Sequence, residues 1–229
     1  MKLNLADVMK KLLCLICVCI MLLSLCSCST AREFLAVLGF DTHDYKGEKI
    51  VNTYETDSET AYLLADMIKI MTVNSIDIPE FSGTAEAIKL CRDAILNRMY
   101  SENFAKYAGN PDLIEQAQDV NSRVDYSVVI PASDFENTAY KYFGGKEKIT
   151  NESGKMYYYV ESIDSYITAA QPFEWEIDIN VISVEETENT YRLVFNCSLD
   201  DNTSDTYFAL IIKRPDDSLY FKYVEKVKN

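Results

Sequence analysis

The side chains that most often carry out catalysis are sparse in this sequence of 229 residues. Its one histidine, His43, lies between Asp41 and Asp44, so any Ser-His or Cys-His catalytic pair must use this residue. A tetrahedral zinc site needs more nitrogen and sulfur ligands than this short stretch offers. The seven glycines form no G-x-G-x-x-G or G-x-x-x-x-G-K phosphate-binding loop. We therefore assign no catalytic residue, no cofactor and no metal ligand from the sequence.

An acidic loop at Asp200–Asp205 resembles the opening of an EF-hand calcium loop, with oxygen-bearing side chains at alternating positions. The sixth position of that pattern, normally glycine, is Asp205 here, and the twelfth, normally a bidentate glutamate, is Ile211. These two departures exclude an EF-hand. We expect an acidic hairpin turn, and a weaker calcium contact stays open as the alternative.

Tyrosine is the residue type that most favours recognition, because the chain contains sixteen copies. Side chains two positions apart on a strand share one face, so Tyr157 and Tyr159 lie on the same side and Tyr158 lies on the other. A tyrosine ring offers a large amphipathic contact area at low entropic cost. We predict Tyr157 and Tyr159 as candidate ligand-binding residues, with ordinary core and cross-strand packing as the alternative.

An uncharged apolar segment runs from Leu12 to Leu25, directly after a pair of lysines. As a helix it spans about 21 Å, which is shorter than the roughly 30 Å hydrocarbon core of a bilayer. A basic pair followed by a short apolar segment is typical of a signal peptide. We predict that residues 1–27 are such a peptide and that translation starts at Met9.

The residues Leu25-Cys26-Ser27-Cys28 at the end of this segment resemble the lipobox of bacterial lipoproteins. The resemblance implies that Cys28 receives a diacylglyceryl thioether and that cleavage follows Ser27. It also implies that the mature protein stays on the outer face of the cytoplasmic membrane. Cys26 does not fit as the acylated residue, because Leu25 would then occupy a position that needs a small side chain. Two acyl chains meet the condition for stable anchoring, at about 0.8 kcal/mol per buried methylene.

The charge of the chain excludes nucleic acid as a partner. The formal net charge is −14, and removal of residues 1–27 changes it to −16. A polyphosphate binder needs clustered Lys and Arg, and an acidic surface also avoids anionic lipid head groups. Four of the seven cysteines precede Cys28, which leaves Cys91 and Cys197 in the exported part. Their apolar flanks favour two buried thiols over a disulfide.

Apolar residues at helical spacing predict three longer helices, and Asn110-Pro111 predicts a short helix between the second and the third. The first begins at a capping box, Thr56–Glu59, and runs to about Thr72, and the second spans about Thr84 to Met99. The third opens at a second capping box, Ser133–Glu136, and is closed by the glycine pair at 144–145. The predicted buried faces are Ala61, Leu64, Ile68 and Met71 in the first helix and Ile88, Cys91, Ile95 and Met99 in the second.

From Met156 onward the hydrophobic period changes to that of strands. Apolar and polar residues alternate over 175–181 and 191–197, and turn-rich breaks separate the segments, which predicts an antiparallel meander of four strands. We therefore expect an α+β fold, with an N-terminal helical region packed against a C-terminal antiparallel sheet. This element order resembles that of cystatins and nuclear-transport-factor-like domains. The predicted organisation is a signal peptide (1–27), an anchor-proximal segment (28–55), a helical region (56–123) and a helix with an antiparallel sheet (124–229).

These observations predict a lipid-anchored, extracytoplasmic bacterial protein whose partners are the bilayer and a protein, peptide or glycan. We expect a binding module and not an enzyme. Two alternatives stay open: a small surface hydrolase that uses carboxylates, and an envelope assembly component that docks another membrane protein. Two acids at a fixed separation in a concave pocket favour the hydrolase, whereas an open aromatic patch favours the binding module.

Overall fold

The computed structural model describes residues 47–73, 75–108, 112, 115, 128–145, 148–168 and 177–228. Residues Glu48–Asn229 form one compact unit. Its helices and antiparallel strands confirm the predicted α+β class. Residues from both predicted regions, 56–123 and 124–229, contribute to the same hydrophobic core.

The elements are numbered here along the chain. The helices are α1 (Glu59–Ile68), α2 (Thr84–Glu102), α3 (Phe104–Tyr107) and α4 (Ala132–Phe143), and a short 3-10 turn at Lys69–Met71 follows α1. The strands are β1 (Asn52–Tyr54), β2 (Val128–Pro131), β3 (Tyr158–Val160), β4 (Ser165–Thr168), β5 (Asp178–Glu186), β6 (Thr190–Leu199), β7 (Asn202–Thr203), β8 (Tyr207–Lys213) and β9 (Leu219–Lys226).

The larger sheet has the strand order β1-β5-β6-β8-β9, and the two-residue β7 pairs with the end of β6. Neighbouring strands are antiparallel throughout, so the predicted four-stranded meander is confirmed as β5, β6, β8 and β9. Strand β1 comes from the segment predicted to lie near the anchor, and it adds to the β5 edge. At the opposite edge, Phe81 exchanges two backbone hydrogen bonds of 3.0 Å with Val224 of β9.

The alternation predicted in the meander is observed in β6, where Leu193, Phe195 and Cys197 are fully buried. In β5 the register shifts between Val181 and Ser183, so Ile182 has no partner on β6 and is 49 % exposed. A bulge of this kind inserts one residue and exchanges the faces of the strand beyond it. Trp175, which the sequence placed in this strand, lies outside the described residues.

Strands β2, β4 and β3 form a second, smaller antiparallel sheet in that spatial order. All four residues of β4 are buried, because β4 is the central strand. The sequence did not indicate this second sheet. This sheet positions the segment 148–157, which reaches β3 directly.

The first helix starts where the sequence predicts a cap, but with a different capping residue. Ser58 is the N-cap of α1, and its hydroxyl accepts a 3.2 Å hydrogen bond from the backbone N–H of Ala61. The capping box assigned to Thr56 is therefore wrong in register by two residues. The predicted buried face of α1 is confirmed, and helical structure ends at Met71, close to the predicted end.

The predicted capping box at Ser133–Glu136 is also wrong. The N-cap of helix α4 lies two residues earlier, at Pro131, with no side-chain hydrogen bond at the cap, and Ser133 lies inside the first turn of the helix. The predicted end is confirmed, because Gly144 adopts φ +69° and its N–H donates to Tyr140 O at 3.0 Å. A left-handed residue of this kind is most easily glycine.

Helices α1 and α4 pack on the larger sheet, against β5 and β9 respectively, and α2 packs against α4. The buried stripe predicted on α2 is confirmed, with Cys91 and Ile95 fully buried. Cys91 and Cys197 are both free and buried, as the sequence favoured. Burial raises the pKa of both thiols, that of Cys197 to about 11, because a thiolate is poorly solvated in an apolar core.

Candidate functional site

The tyrosines predicted as a ligand surface lie at the start of β3, an edge strand of the smaller sheet. The alternation is as expected, but the face shared by Tyr157 and Tyr159 points inward. Tyr157 is 1 % exposed and belongs to the core, whereas Tyr158, on the other face, is 56 % exposed. The stacking surface assigned to Tyr157 is therefore not accessible to a ligand.

Tyr159 is half-buried, and its own contacts hold it in place. Its ring lies 5.3 Å from that of Tyr166, and its hydroxyl donates a 2.7 Å hydrogen bond to Asp164 Oδ1. This hydrogen bond raises the pKa of Tyr159 to about 12, because ionisation of Tyr159 would remove the proton that it donates to the Asp164 carboxylate. Tyr159 fixes the β3–β4 turn, where Asp164 has φ +45°.

The acidic loop at 200–205 is a tight hairpin turn, as the sequence favoured. Leu199 pairs with Asn202, so Asp200 and Asp201 form a two-residue loop, and both have positive φ. This pattern is that of a type I′ turn. Within the described residues, no three His, Cys, Asp or Glu side chains are grouped so as to hold a metal ion.

A different pocket, which the sequence did not indicate, lies between the start of α2 and the segment 148–152. Its volume is about 340 Å³. The wall carries three basic side chains, one acidic side chain and two threonines around an apolar floor. The residues that line it are Thr84, Ala85, Ile88, Lys89, Arg92, Lys148, Ile149, Thr150 and Glu152.

Arg92 is the buried polar residue of this pocket, with 5 % exposure. Its Nη2 donates to the Glu152 carboxylate at 3.1 Å and to the Thr150 backbone oxygen at 3.4 Å. Its Nε is buried and has no hydrogen-bond partner among the described residues. A buried guanidinium is costly unless its N–H groups are satisfied, and Arg92 meets this cost in part through Glu152 and Thr150.

The segment that carries Glu152 is held to α2 by the residue next to Arg92. The Oδ2 atom of Asp93 accepts hydrogen bonds from the backbone N–H groups of Lys155, at 2.7 Å, and Met156, at 3.2 Å. Asn151 is fixed in turn by Tyr166, whose hydroxyl donates to Asn151 Oδ1 at 2.8 Å. The far wall of the pocket is therefore attached to rigid elements at several points.

The other end of the pocket is fixed where α2 begins. Thr84 Oγ1 donates a 2.9 Å hydrogen bond to Phe143 O, the last carbonyl of α4. Gly145 follows with φ +90°, and a β-carbon there would lie 2.7 Å from Thr84 Cγ2. Glycine is required at 145 both for this backbone conformation and for this close approach.

The charged side chains of this pocket are mainly basic. The basic side chains of Lys89, Arg92 and Lys148 outnumber the one carboxylate, Glu152, although the chain as a whole has a charge of −14. Lys89 and Arg92 are three positions apart on one helix face, a spacing that sequence reasoning can recognise. Lys148 lies more than fifty residues further along the chain, and only the tertiary fold brings it to the same cavity.

Cys28 and His43 lie outside the described residues. Every helix in the described part of the chain is too short or too polar to cross a membrane. Comparison with protein-family models, with curated proteins and with solved structures found no match for this chain.

Proposed function

We propose that this protein is a lipid-anchored, extracytoplasmic bacterial module that binds a ligand and does not transform it. The observation that carries the anchoring is the sequence Leu25-Cys26-Ser27-Cys28 after a charge-free apolar segment. Cys28 is the acylated residue and tethers the compact unit Glu48–Asn229 to the outer face of the membrane.

The Arg92 pocket supports the binding part of this proposal. Ligand sites are concave, largely preformed and lined by apolar side chains with a few polar groups, and their volumes start at about 300 Å³. The cavity at the start of α2 fits this description, with Ile88 and Ile149 beneath the polar groups. Its walls come from a helix and from a segment fastened to that helix, which favours a stable binding geometry.

Intact mass spectrometry of the membrane fraction tests the anchor. Cells expressing the full sequence are expected to yield a species that begins at Cys28 and carries added diacylglyceryl mass. Cys28→Ala removes the sulfur that accepts the lipid, so this variant is expected to be unlipidated and released from the membrane or left unprocessed.

Cys26→Ala is the matched control, because it removes a neighbouring thiol but leaves the acylated position intact. It is expected to behave like the unchanged sequence. The anchor is refuted if Cys28→Ala keeps the same processed mass and the same membrane retention as the Cys26→Ala protein.

A further inference from the structure

We propose that the pocket lined by Lys89, Arg92 and Lys148 binds the oxyanion group of a small ligand, a carboxylate or a phosphate. This inference deepens the binding part of the proposed function and rests on it, but it is independent of the lipid anchor.

The guanidinium group of Arg92 lines the pocket and is suited to bind an oxyanion. A guanidinium has five N–H donors in a rigid fork that matches the two oxygens of a carboxylate or phosphate. One of the terminal nitrogens of Arg92, Nη2, contacts Glu152 and Thr150, whereas its Nε has no partner among the described residues. The Nε atom itself is closed off from solvent, so an anion in the cavity would reach Arg92 through its terminal nitrogens, where Glu152 now holds Nη2.

The wall of the pocket carries more positive than negative charge. Lys89 and Lys148 are exposed, and neither forms an ion pair or a hydrogen bond with another described residue. Together with Arg92 they supply three positive charges against the single negative charge of Glu152. In a chain of net charge −14 this local excess of positive charge favours the binding of an anion at the pocket.

The start of α2 adds to the positive electrostatic potential of the pocket. Gly83 caps the helix without a side-chain hydrogen bond, and the next two residues, Thr84 and Ala85, line the pocket. The first N–H groups of a 19-residue helix carry partial positive charge and favour an anion nearby. This contribution supports the lysines and arginine but would not by itself define a site.

Glu152 is the one carboxylate in the lining of the pocket. Its carboxylate lies 3.1 Å from Arg92 Nη2 but its side chain is 48 % exposed, so it can turn toward solvent when a ligand anion takes its place at Arg92. A ligand oxyanion would compete with this internal carboxylate for Arg92. Neutralising Glu152 is therefore expected to tighten anion binding, a result that a purely structural ion pair would not give.

The cavity limits the size of the ligand. About 340 Å³, with an apolar floor of Ala85, Ile88 and Ile149, accommodates a small molecule such as a single sugar acid or a short acidic peptide end. A carboxylate and a phosphate offer the same oxyanion chemistry to Arg92. The experiment must therefore compare both, and it must compare each with an uncharged molecule.

The test is calorimetric titration of the mature protein in detergent with glucuronate, inorganic phosphate and glucose. At millimolar concentration, glucuronate or phosphate is expected to bind saturably and glucose is not, which also identifies the preferred oxyanion. Lys89→Ala with Lys148→Ala is expected to weaken binding at least about tenfold, because two charged partners are lost. Glu152→Gln is expected to strengthen binding.

Lys49→Ala with Lys228→Ala is the control pair, because it removes the same charge from two exposed residues outside the pocket. It is expected to leave binding unchanged, and the two lysine pairs are expected to unfold at the same midpoint as the unchanged protein. The inference is overturned if neither anion binds, if glucose binds equally well, if both lysine pairs weaken binding to the same extent, or if Glu152→Gln weakens it. A protein that carries lipid on Cys28 but binds no anion refutes this inference and leaves the anchor standing.

Discussion

Gly154 lies against Asp93 so closely that a β-carbon at position 154 would be 2.7 Å from the Asp93 Cγ atom. The same carboxylate accepts the backbone N–H groups of Lys155 and Met156. The segment 148–157 is thus fastened to α2 by an acidic side chain that only a glycine lets approach. Because Arg92 is the residue next to Asp93, this attachment also sets the wall of the anion pocket.

Gly154→Ala is expected to lower the free energy of unfolding by about 1 to 3 kcal/mol. The added methyl group must displace the Asp93 carboxylate, and this weakens its hydrogen bonds to Lys155 and Met156. Urea denaturation followed by circular dichroism measures the change. Gly47→Ala is the control, because a β-carbon at 47 meets no atom within 4 Å. Equal stability of the two variants would contradict the proposed close contact.

Ser58→Ala is expected to destabilise the protein by about 1 kcal/mol, because the Ser58 hydroxyl satisfies the N–H of Ala61 at the start of α1. Ser133→Ala is expected to change stability by less than about 0.5 kcal/mol, because Ser133 is exposed and caps no helix. Thermal unfolding of both variants compares the two positions. A larger loss for Ser133→Ala than for Ser58→Ala would reverse the assignment of the caps.

The two capping boxes show where sequence reasoning works and where it fails. Hydrophobic spacing identified the predicted buried residues of α1 and α2 correctly, because α1 needs an apolar face to pack on the larger sheet and α2 needs one to pack against α4. The capping residue is a local choice among several Ser, Thr and Asp side chains, and tertiary context decides it. At α4, Pro131 ends β2 and leads directly into the helix, so no side-chain cap is used.

The burial of Tyr157 was missed for a related reason. Period-two alternation correctly separated Tyr157 and Tyr159 from Tyr158, but it does not tell which face of a strand is buried. The anion pocket joins Arg92 of α2 with Lys148 of a distant segment, and no local pattern connects them. The pocket can be recognised only in the folded structure, where a hydrogen bond to Asp93 holds that segment against α2.

The thiols of Cys91 and Cys197 are expected to resist alkylation in the native protein. Both are fully buried, and burial raises the pKa of each, so little thiolate is present at neutral pH. Peptide mass spectrometry after iodoacetamide treatment, with and without urea, measures labelling at each site. Labelling of both positions is expected only in urea. Efficient native labelling of either cysteine, or a mass that indicates a disulfide, would contradict this prediction.

The carboxylate of Glu186 is expected to make stability depend on pH in the acid range. It lies at the end of β5, where Lys213 Nζ approaches its Oε1 at 2.8 Å and the Tyr54 hydroxyl donates to its Oε2 at 2.6 Å. These hydrogen bonds, that of Lys213 first, lower the pKa of Glu186 in the folded protein. The stabilisation is therefore present above the unfolded-state pKa of about 4.5 and is lost as the pH falls through the lower folded-state value.

Glu186→Gln tests this dependence, because it keeps the shape of the side chain and removes its charge. We expect it to lower the free energy of unfolding by about 1 kcal/mol at pH 7, since it weakens the hydrogen bonds with Lys213 and Tyr54. The difference from the unchanged protein should shrink below a pH of about 4.5, where protonation removes the same charge from Glu186. Urea denaturation over a pH series measures both effects. Glu188→Gln is the control, because Glu188 is exposed in a turn, and it should show neither the loss of stability at pH 7 nor its pH dependence. A loss for Glu186→Gln that stays constant with pH would show that the charge of Glu186 does not stabilise the fold.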